Sequence, residues 1–201
     1  MNAQQLDRLL LEAMSGFILQ HNSPAVAGFK PAIRAWGKVW REVGESHLPA
    51  ADLLTDSLAT STTETHNLLC LFEQYKHRLL WEQSYRKADA VVSDAMLDAY
   101  GFTEIIGNRG PFVSDRIRCG ITVWGPGIVY PRHQHGAEEI YMLLAGSAQF
   151  HIGEAPERSC RAGEVVLVES MTTHGFRTTD ETLVVCYLWQ AGDLREISHF
   201  V

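Results

Sequence analysis

The chemistry in this chain gathers in one stretch, Gly127 to Gly146. His133 and His135 stand two residues apart, Glu139 follows four later, and Tyr141 two after that. On a β-strand, residues i and i+2 share a face, so the two imidazoles point the same way. A turn at Gly136-Ala137 can start a second strand, on which Glu139, Tyr141 and Leu143 share a face while Glu138 and Ile140 take the other. Two imidazoles and a carboxylate converging from adjacent strands make most of a metal site. The remaining ligand must come from a separate strand. Val165–Val168 has strand character, and the polar turn that follows delivers His174. This mixed imidazole and carboxylate set suits one divalent transition ion (Zn, Fe, Mn, Co or Ni). It does not suit Ca or Mg, which prefer oxygen donors throughout. His21, His47, His66, His77, His151 and His199 lack such clustering and read as structural.

Tyr141 carries a second expectation. A tyrosine inside a strand is most often a packed aromatic. Here it lies on the face of Glu139, toward the ligands, and Tyr130 stands just ahead of His133 as a second phenol. A phenol titrates near ~10 in water. A nearby metal ion stabilises the phenolate, and a phenolate held there is a usable general base.

These residues resemble known patterns. The first stretch resembles cupin motif 1, G-x5-H-x-H-x3-E-x6-G, with Gly127, His133, His135, Glu139 and Gly146 in place. The second resembles motif 2, G-x5-P-x-G-x2-H-x3-N, through Gly163 and His174 only; Glu169, Met171 and Thr178 stand where proline, glycine and asparagine belong. The resemblance implies a mainly-β fold, a cupin-type antiparallel β-barrel (jelly-roll), here with a helical N-terminal extension. The fuller pattern is Tyr130-Pro-x-His-x-His-x3-Glu139-x-Tyr141, with His174, a tryptophan near the C-terminus and a helical first half. It resembles the cupin-type dimethylsulfoniopropionate lyases, most of all the DddQ type.

That family cleaves dimethylsulfoniopropionate, a zwitterion, into acrylate and dimethyl sulfide. By position, the resemblance assigns His135, Glu139 and His174 as metal ligands, with His133 beside or on the metal. It makes Tyr141 the base, or a ligand that becomes one, Tyr130 its helper, and Trp189 part of the substrate pocket. It also implies a bacterial, cytoplasmic enzyme, with a homodimer as the candidate assembly. The chemistry is consistent with these residues. A metal on the substrate carboxylate acts as a Lewis acid, tyrosinate removes the α-proton, and neutral dimethyl sulfide leaves the β-carbon. The sulfonium suits aromatic faces, where cation–π attraction contributes ~0.5–2 kcal/mol. Tyr130, Trp124, Tyr187 and Trp189 are the aromatics available for it in the second half. Two alternatives stand beside this one: another metal-dependent cupin enzyme (a dioxygenase or isomerase), and a non-enzymatic cupin that binds a small ligand.

The elements that must position these residues divide the chain. Leu6, Leu9, Leu10, Ala13, Met14, Phe17 and Ile18 follow helical spacing, and Asn22 and Pro24 end that helix. Pro31, Ile33, Trp36, Trp40 and Val43 predict a second helix stopped by Gly44, with Pro49 opening a short third one. A long helix is expected from about His66 to Tyr85, and a last short one from Asp94 to Tyr100. From Gly101 the pattern becomes short apolar or alternating runs between turns: 103–106, 116–124, 139–144, 148–152, 164–168 and 182–189. The expected organisation is therefore residues 1–101 as a helical extension packed on a metal-binding barrel of residues 102–201.

Composition sets the outer bounds. The 201 residues are 46% hydrophobic and 20% charged, ordinary for a globular chain, with a net charge of −7. Through Val92 the chain carries nine Lys/Arg against ten Asp/Glu, so a DNA-reading helix pair lacks its basic face. No apolar run approaches the ~20 residues of a membrane span, and no cationic segment precedes a long apolar one at the start. The expectation is a cytoplasmic protein without nucleic-acid or membrane partners. Cys70, Cys119, Cys160 and Cys186 are scattered beside apolar runs and read as reduced thiols.

Overall fold

The computed structural model describes residues 1–89 and 91–201. The first helix, α1 (Ala3–Gln20), begins at a reciprocal cap: Asn2 accepts from the Gln5 backbone N–H, and the Gln5 side chain accepts from that of Asn2. Its buried stripe is Leu6, Leu10, Leu11, Met14 and Ile18. The expected second helix is only partly present. Two short helices, α2 (Pro24–Ala27) and α3 (Lys30–Arg34), are followed by extended chain. There Trp40 bridges to Phe112, Arg41 N–H donates to the Pro111 carbonyl, and the Trp40 indole donates to Asp7 at 2.8 Å. The three- and four-residue spacing of Ile33, Trp36 and Trp40 is real, but pairing with distant chain overrides it.

After a short α4 (Leu54–Ser57), the helix expected to reach Tyr85 ends ten residues earlier. It is α5 (His66–Tyr75), closed by a 3₁₀ turn over Lys76–Arg78. The chain then turns extended as β1 (Trp81–Glu82), because Trp81 and Glu82 pair with Thr103 and Phe102 of β2 (Tyr100–Gly107). The last helix, α6 (Asp94–Ala99), is capped by the Ser93 hydroxyl, which accepts from Met96 N–H.

The strands form two sheets. The larger contains β3 (Phe112–Val113), β4 (Ile117–Trp124), β6 (Glu138–Ala145), β9 (Val165–Val168) and β11 (Leu183–Gln190) besides β1 and β2. Its order is β1-β2-β4-β11-β6-β9, with β3 parallel to β2 and every other pairing antiparallel. The smaller sheet is formed by β5 (Val129–Gln134), β7 (Ser147–Ile152), β8 (Arg158–Arg161), β10 (His174–Thr178) and β12 (His199–Phe200), in the order β12-β5-β10-β7-β8. The fold is mainly β: a cupin-type antiparallel jelly-roll with helices at its N-terminal side.

Alternation along the strands explains why the helices are needed. Ile117, Cys119, Ile121 and Val123 of β4, Ile140, Met142 and Leu144 of β6, and Val184, Cys186 and Leu188 of β11 turn outward and pack in one core with α1 and α5. Residues of the other parity, among them Trp124, Tyr141, Leu143, Val185 and Tyr187, turn inward with Tyr130, Phe150 and Phe176 of the smaller sheet. The large sheet is thus covered on both faces, and the inward face is aromatic. The cysteines are free, with Cys119, Cys160 and Cys186 buried.

Candidate functional site

Three strands and two turns bring the expected ligands together. The ends of β5 and β10 pair His133 with His174, and the tight turn after β5 carries His135 back toward β6, where Glu139 and Tyr141 face inward. His133, His135 and His174 are each 1% exposed and Glu139 is 3% exposed, and the histidines' ligand atoms lie within 4.8 Å of one another. The Glu139 Oε2 atom is 3.0 Å from His135 Nε2 and 3.5 Å from His174 Nε2; the Tyr141 hydroxyl is also 3.5 Å from His174 Nε2. Of the remaining histidines, only His47 and His77 join a comparable group among the described residues, with Asp52 on the exposed surface.

The orientation of the rings is fixed from behind. His133 Nδ1 lies 2.9 Å from the Pro131 carbonyl, His135 Nδ1 3.0 Å from that of Ala137, and His174 Nδ1 2.9 Å from that of Thr172. A carbonyl can only accept, so each Nδ1 donates to it and each ring turns its Nε2 inward. Two of those Nε2 atoms, on His135 and His174, lie beside a Glu139 carboxylate oxygen. Three imidazoles with one carboxylate are the donor set of a transition ion. The residues fit such an ion.

Burial, reinforced by the charge of His174, lowers the His133 imidazole to about 3, so this ring is neutral. Burial also disfavours protonated His135, but the hydrogen bond and charge of Glu139 outweigh it and raise this group. For Glu139, burial acts upward and is overcome by the hydrogen bonds and charges of His135 and His174, which hold the carboxyl far below its usual range. Tyr141 is 3% exposed; burial first, then the charge of Glu139, push its phenol well above the ordinary value.

The loop before His174 keeps its shape with unusual residues. Met171 stands where the cupin pattern has glycine, and it adopts the left-handed conformation itself, with φ 61°. Its N–H donates to the His135 carbonyl at 2.9 Å, and the Ser170 hydroxyl donates to the Gly136 carbonyl at 2.7 Å, tying the two ligand-bearing turns together. Thr178, in place of asparagine, accepts from Ile128 N–H at 2.7 Å and donates to the Gly125 carbonyl at 2.8 Å.

A pocket opens beside the cluster on the inward face of the large sheet. Trp124, Tyr130, Tyr187 and Trp189 all line it together with Glu139 and Tyr141. The space within it, open mouth included, is about 640 Å³. Tyr130 reaches it through a bulge: residues 130 and 133 of β5 oppose 176 and 174 of β10, so an extra residue lets both Tyr130 and His133 face inward. Their rings lie 4.4 Å apart.

Several lining residues carry no sequence motif. Tyr85 comes from the N-terminal half, and its hydroxyl is 2.6 Å from that of Tyr130. Tyr100 stacks on Trp124 and Tyr130, with centroid separations of 5.6 and 6.4 Å. Arg118 lies over the Trp189 indole at 5.1 Å, and residues 195–198 form the outer rim. Trp189 sits on β11 between β4 and β6, and the His135 ring is 4.1 Å from its own, between centroids. The buried Trp124 Nε1 and Tyr187 hydroxyl have no hydrogen-bond partner.

Comparison with known proteins gives consistent matches. The family model for dimethylsulfoniopropionate lyase matches residues 35–185. The chain is 31% identical to dimethylsulfoniopropionate lyase DddQ of Ruegeria pomeroyi over 176 residues, 88% of this chain and 85% of that protein. It is 30% identical to a putative dimethylsulfoniopropionate lyase, DddL of Cereibacter sphaeroides, over 120 residues, 59% of this chain and 48% of that one. The crystal structure of DddQ from Ruegeria pomeroyi matches with a TM-score of 0.85 at 28% identity, over 98% of this chain and 96% of that one.

Proposed function

The chain belongs to the dimethylsulfoniopropionate lyase family, a family of carbon–sulfur lyases, and from that premise we propose a metal-dependent, tyrosine-initiated β-elimination that splits dimethylsulfoniopropionate into dimethyl sulfide and acrylate. The observation that carries the mechanism is the placement of the Tyr141 hydroxyl 3.5 Å from His174 Nε2, where the imidazoles and Glu139 converge at the edge of an aromatic pocket. His135, Glu139 and His174 would hold the metal, with His133 as the fourth ligand. The bound ion would supply Lewis acidity toward the substrate carboxylate and positive charge that favours a phenolate nearby.

The side chains do the rest. Burial and Glu139 keep the Tyr141 phenol protonated without a cation at hand, so its service as a base depends on a filled ligand set. Tyr141 oxygen takes the α-proton, the α,β double bond forms, and the C–S electron pair departs with neutral dimethyl sulfide. No general acid is needed. Tyr130, bonded to Tyr85, acts as the helper by fixing the neighbouring wall. The sulfonium sits against Trp124, Tyr130 and Tyr100, where cation–π attraction contributes ~0.5–2 kcal/mol. Tyr187 and Trp189 complete the floor. Family membership favours this reading over a dioxygenase, an isomerase or a binding-only cupin.

The test is headspace dimethyl sulfide from purified protein, stripped by chelator and reloaded with single metals under anaerobic conditions. Stripped protein should be silent and one ion per chain should restore release. Full activity in stripped protein would remove the metal from the mechanism. No release with any of the five metals would remove the lyase reading.

A further inference from the structure

Arg118 has no part in the elimination above, yet it is built into the pocket with care. It is 9% exposed, and Glu104, 4% exposed, holds its Nε at 2.7 Å through Oε2. The other Glu104 oxygen accepts from Arg109 N–H at 2.6 Å and Gly110 N–H at 3.0 Å, so the carboxylate is fully engaged and rigid. Gly120 makes this possible: a Cβ there would lie 1.9 Å from the Thr103 carbonyl oxygen, so only glycine lets β2 approach closely enough to bring Glu104 alongside Arg118. Arg118 Nη1 donates to the Leu194 carbonyl at 3.1 Å. Nη2 has no protein acceptor among the described residues, and the side chain lines the pocket.

The neighbouring row of the sheet repeats the theme. Arg118 pairs with Trp189 across β4 and β11, and Tyr187, two residues before Trp189, turns to the same face. Tyr187 is 6% exposed, lines the pocket, and its hydroxyl has no partner. The Arg118 Nη2 and the orphan Tyr187 hydroxyl on one flank are donors without a protein acceptor among the described residues. A buried hydroxyl left unpaired is unfavourable, and a guanidinium N–H makes a charge-assisted bond to a carboxylate oxygen. The other flank carries Tyr85, Tyr100, Trp124 and Tyr130, over whose rings no guanidinium lies among the described residues, whereas the Trp189 indole already has one over it. A second cation is repelled from that ring and drawn to the opposite flank.

We propose that Arg118 and Tyr187 form a carboxylate subsite, taking the carboxylate oxygen that a bound ion leaves free, that fixes which way a zwitterionic substrate lies in the pocket and selects anions over neutral molecules of the same shape. This rests on the lyase reading for the identity of the substrate. The product acrylate, also a carboxylate, occupies the same subsite.

The experiment compares binding of acrylate and of acrylamide, its neutral counterpart, to metal-loaded protein by calorimetry. Removing Arg118 alone would strand the Glu104 charge, so the test variant is Arg118→Met with Glu104→Gln. The parent should prefer acrylate, and the double variant should lose roughly ten- to a hundredfold of that preference, the worth of a charge-assisted hydrogen bond. Tyr187→Phe should lose a few-fold, and Arg118→Lys should retain part. A parent with no preference, or a folded double variant that keeps the full preference, overturns the subsite. If the double variant does not fold, an unchanged preference in Tyr187→Phe overturns it. Dimethyl sulfide release by the parent is scored separately, so a subsite that holds while no sulfide appears would refute the lyase reading alone.

Discussion

Tyr141→Phe divides a reacting tyrosine from a packed one. The substitution keeps the ring, whose contacts with Phe150 and Phe176 at 5.8 and 6.2 Å between centroids are unaffected. It removes one hydroxyl whose nearest nitrogen partner, His174 Nε2, is 3.5 Å away, at the outer limit of a hydrogen bond. The stability cost is therefore at most that of an ordinary hydrogen bond, ~0.5–1.5 kcal/mol. For a chain of this size that is a fall in Tm of no more than about 6 °C. The three imidazoles and Glu139 keep their backbone anchors, so metal content should stay at one ion per chain. Turnover should behave differently, because loss of a general base typically costs ~10²–10⁴-fold. The assay is dimethyl sulfide release by metal-replete variant and parent, with metal content and thermal melting measured on the same samples. Activity within a few-fold of the parent would make the hydroxyl a bystander. Loss of metal along with activity would make Tyr141 a ligand and not simply a base.

His135→Ala and His174→Ala should each lose both metal and activity; because protons compete with the ion for the imidazoles, the parent should also release metal as the pH falls through the histidine range. Full occupancy in either variant would refute its assignment as a ligand. Asp7 gives a stability test far from the pocket: burial raises its carboxyl above the usual range, against the opposing pull of the Trp40 hydrogen bond and Arg78. The folded state therefore holds the proton more tightly than the unfolded chain, and the stability this adds is present at low pH and lost as pH rises through the folded value. Asp7→Asn, which keeps an acceptor for the Trp40 indole, should match the parent in acid and melt higher at neutral pH. A lower melting temperature at neutral pH would refute this.

What was legible in the sequence is what strand alternation encodes. The i, i+2 rule gives the shared face of Glu139 with Tyr141, and the inward faces of Trp124, Tyr187 and Trp189 obey it too; His133 and His135 also converge, but β5 ends at Gln134 and the turn, not strand alternation, carries His135. His174 was legible through an apolar strand and a turn, although the turn residues were atypical; Met171 supplies the left-handed conformation that a glycine would have offered. The rest depends on contacts that no local pattern records. Trp36 and Trp40 have helical spacing, yet Trp40 is taken up by Phe112 and Asp7. Leu79 to Tyr85 could continue a helix, but the edge of β2 recruits Trp81 and Glu82. Tyr100 and Arg118 enter the pocket because the sheet order sets β2 and then β4 on one side of β11, and Tyr85 because the chain leaving β1 passes the same rim. Nothing in their immediate neighbours in sequence distinguishes them.

The division of the ligand set between two sheets bears on how the chain reaches its native state. His133 and His174 belong to the smaller sheet and Glu139 to the larger, and Tyr141 and His174 are 33 residues apart. Neither sheet follows sequence order, so the pairings that complete the cluster are the non-local kind that form slowly. A nascent chain emerging from the ribosome would have made β5 and β6 long before β10 existed. An ion bound through histidines of one sheet and the carboxylate of the other would be a late arrival, and it would then work as a clasp, raising the barrier to reopening the barrel.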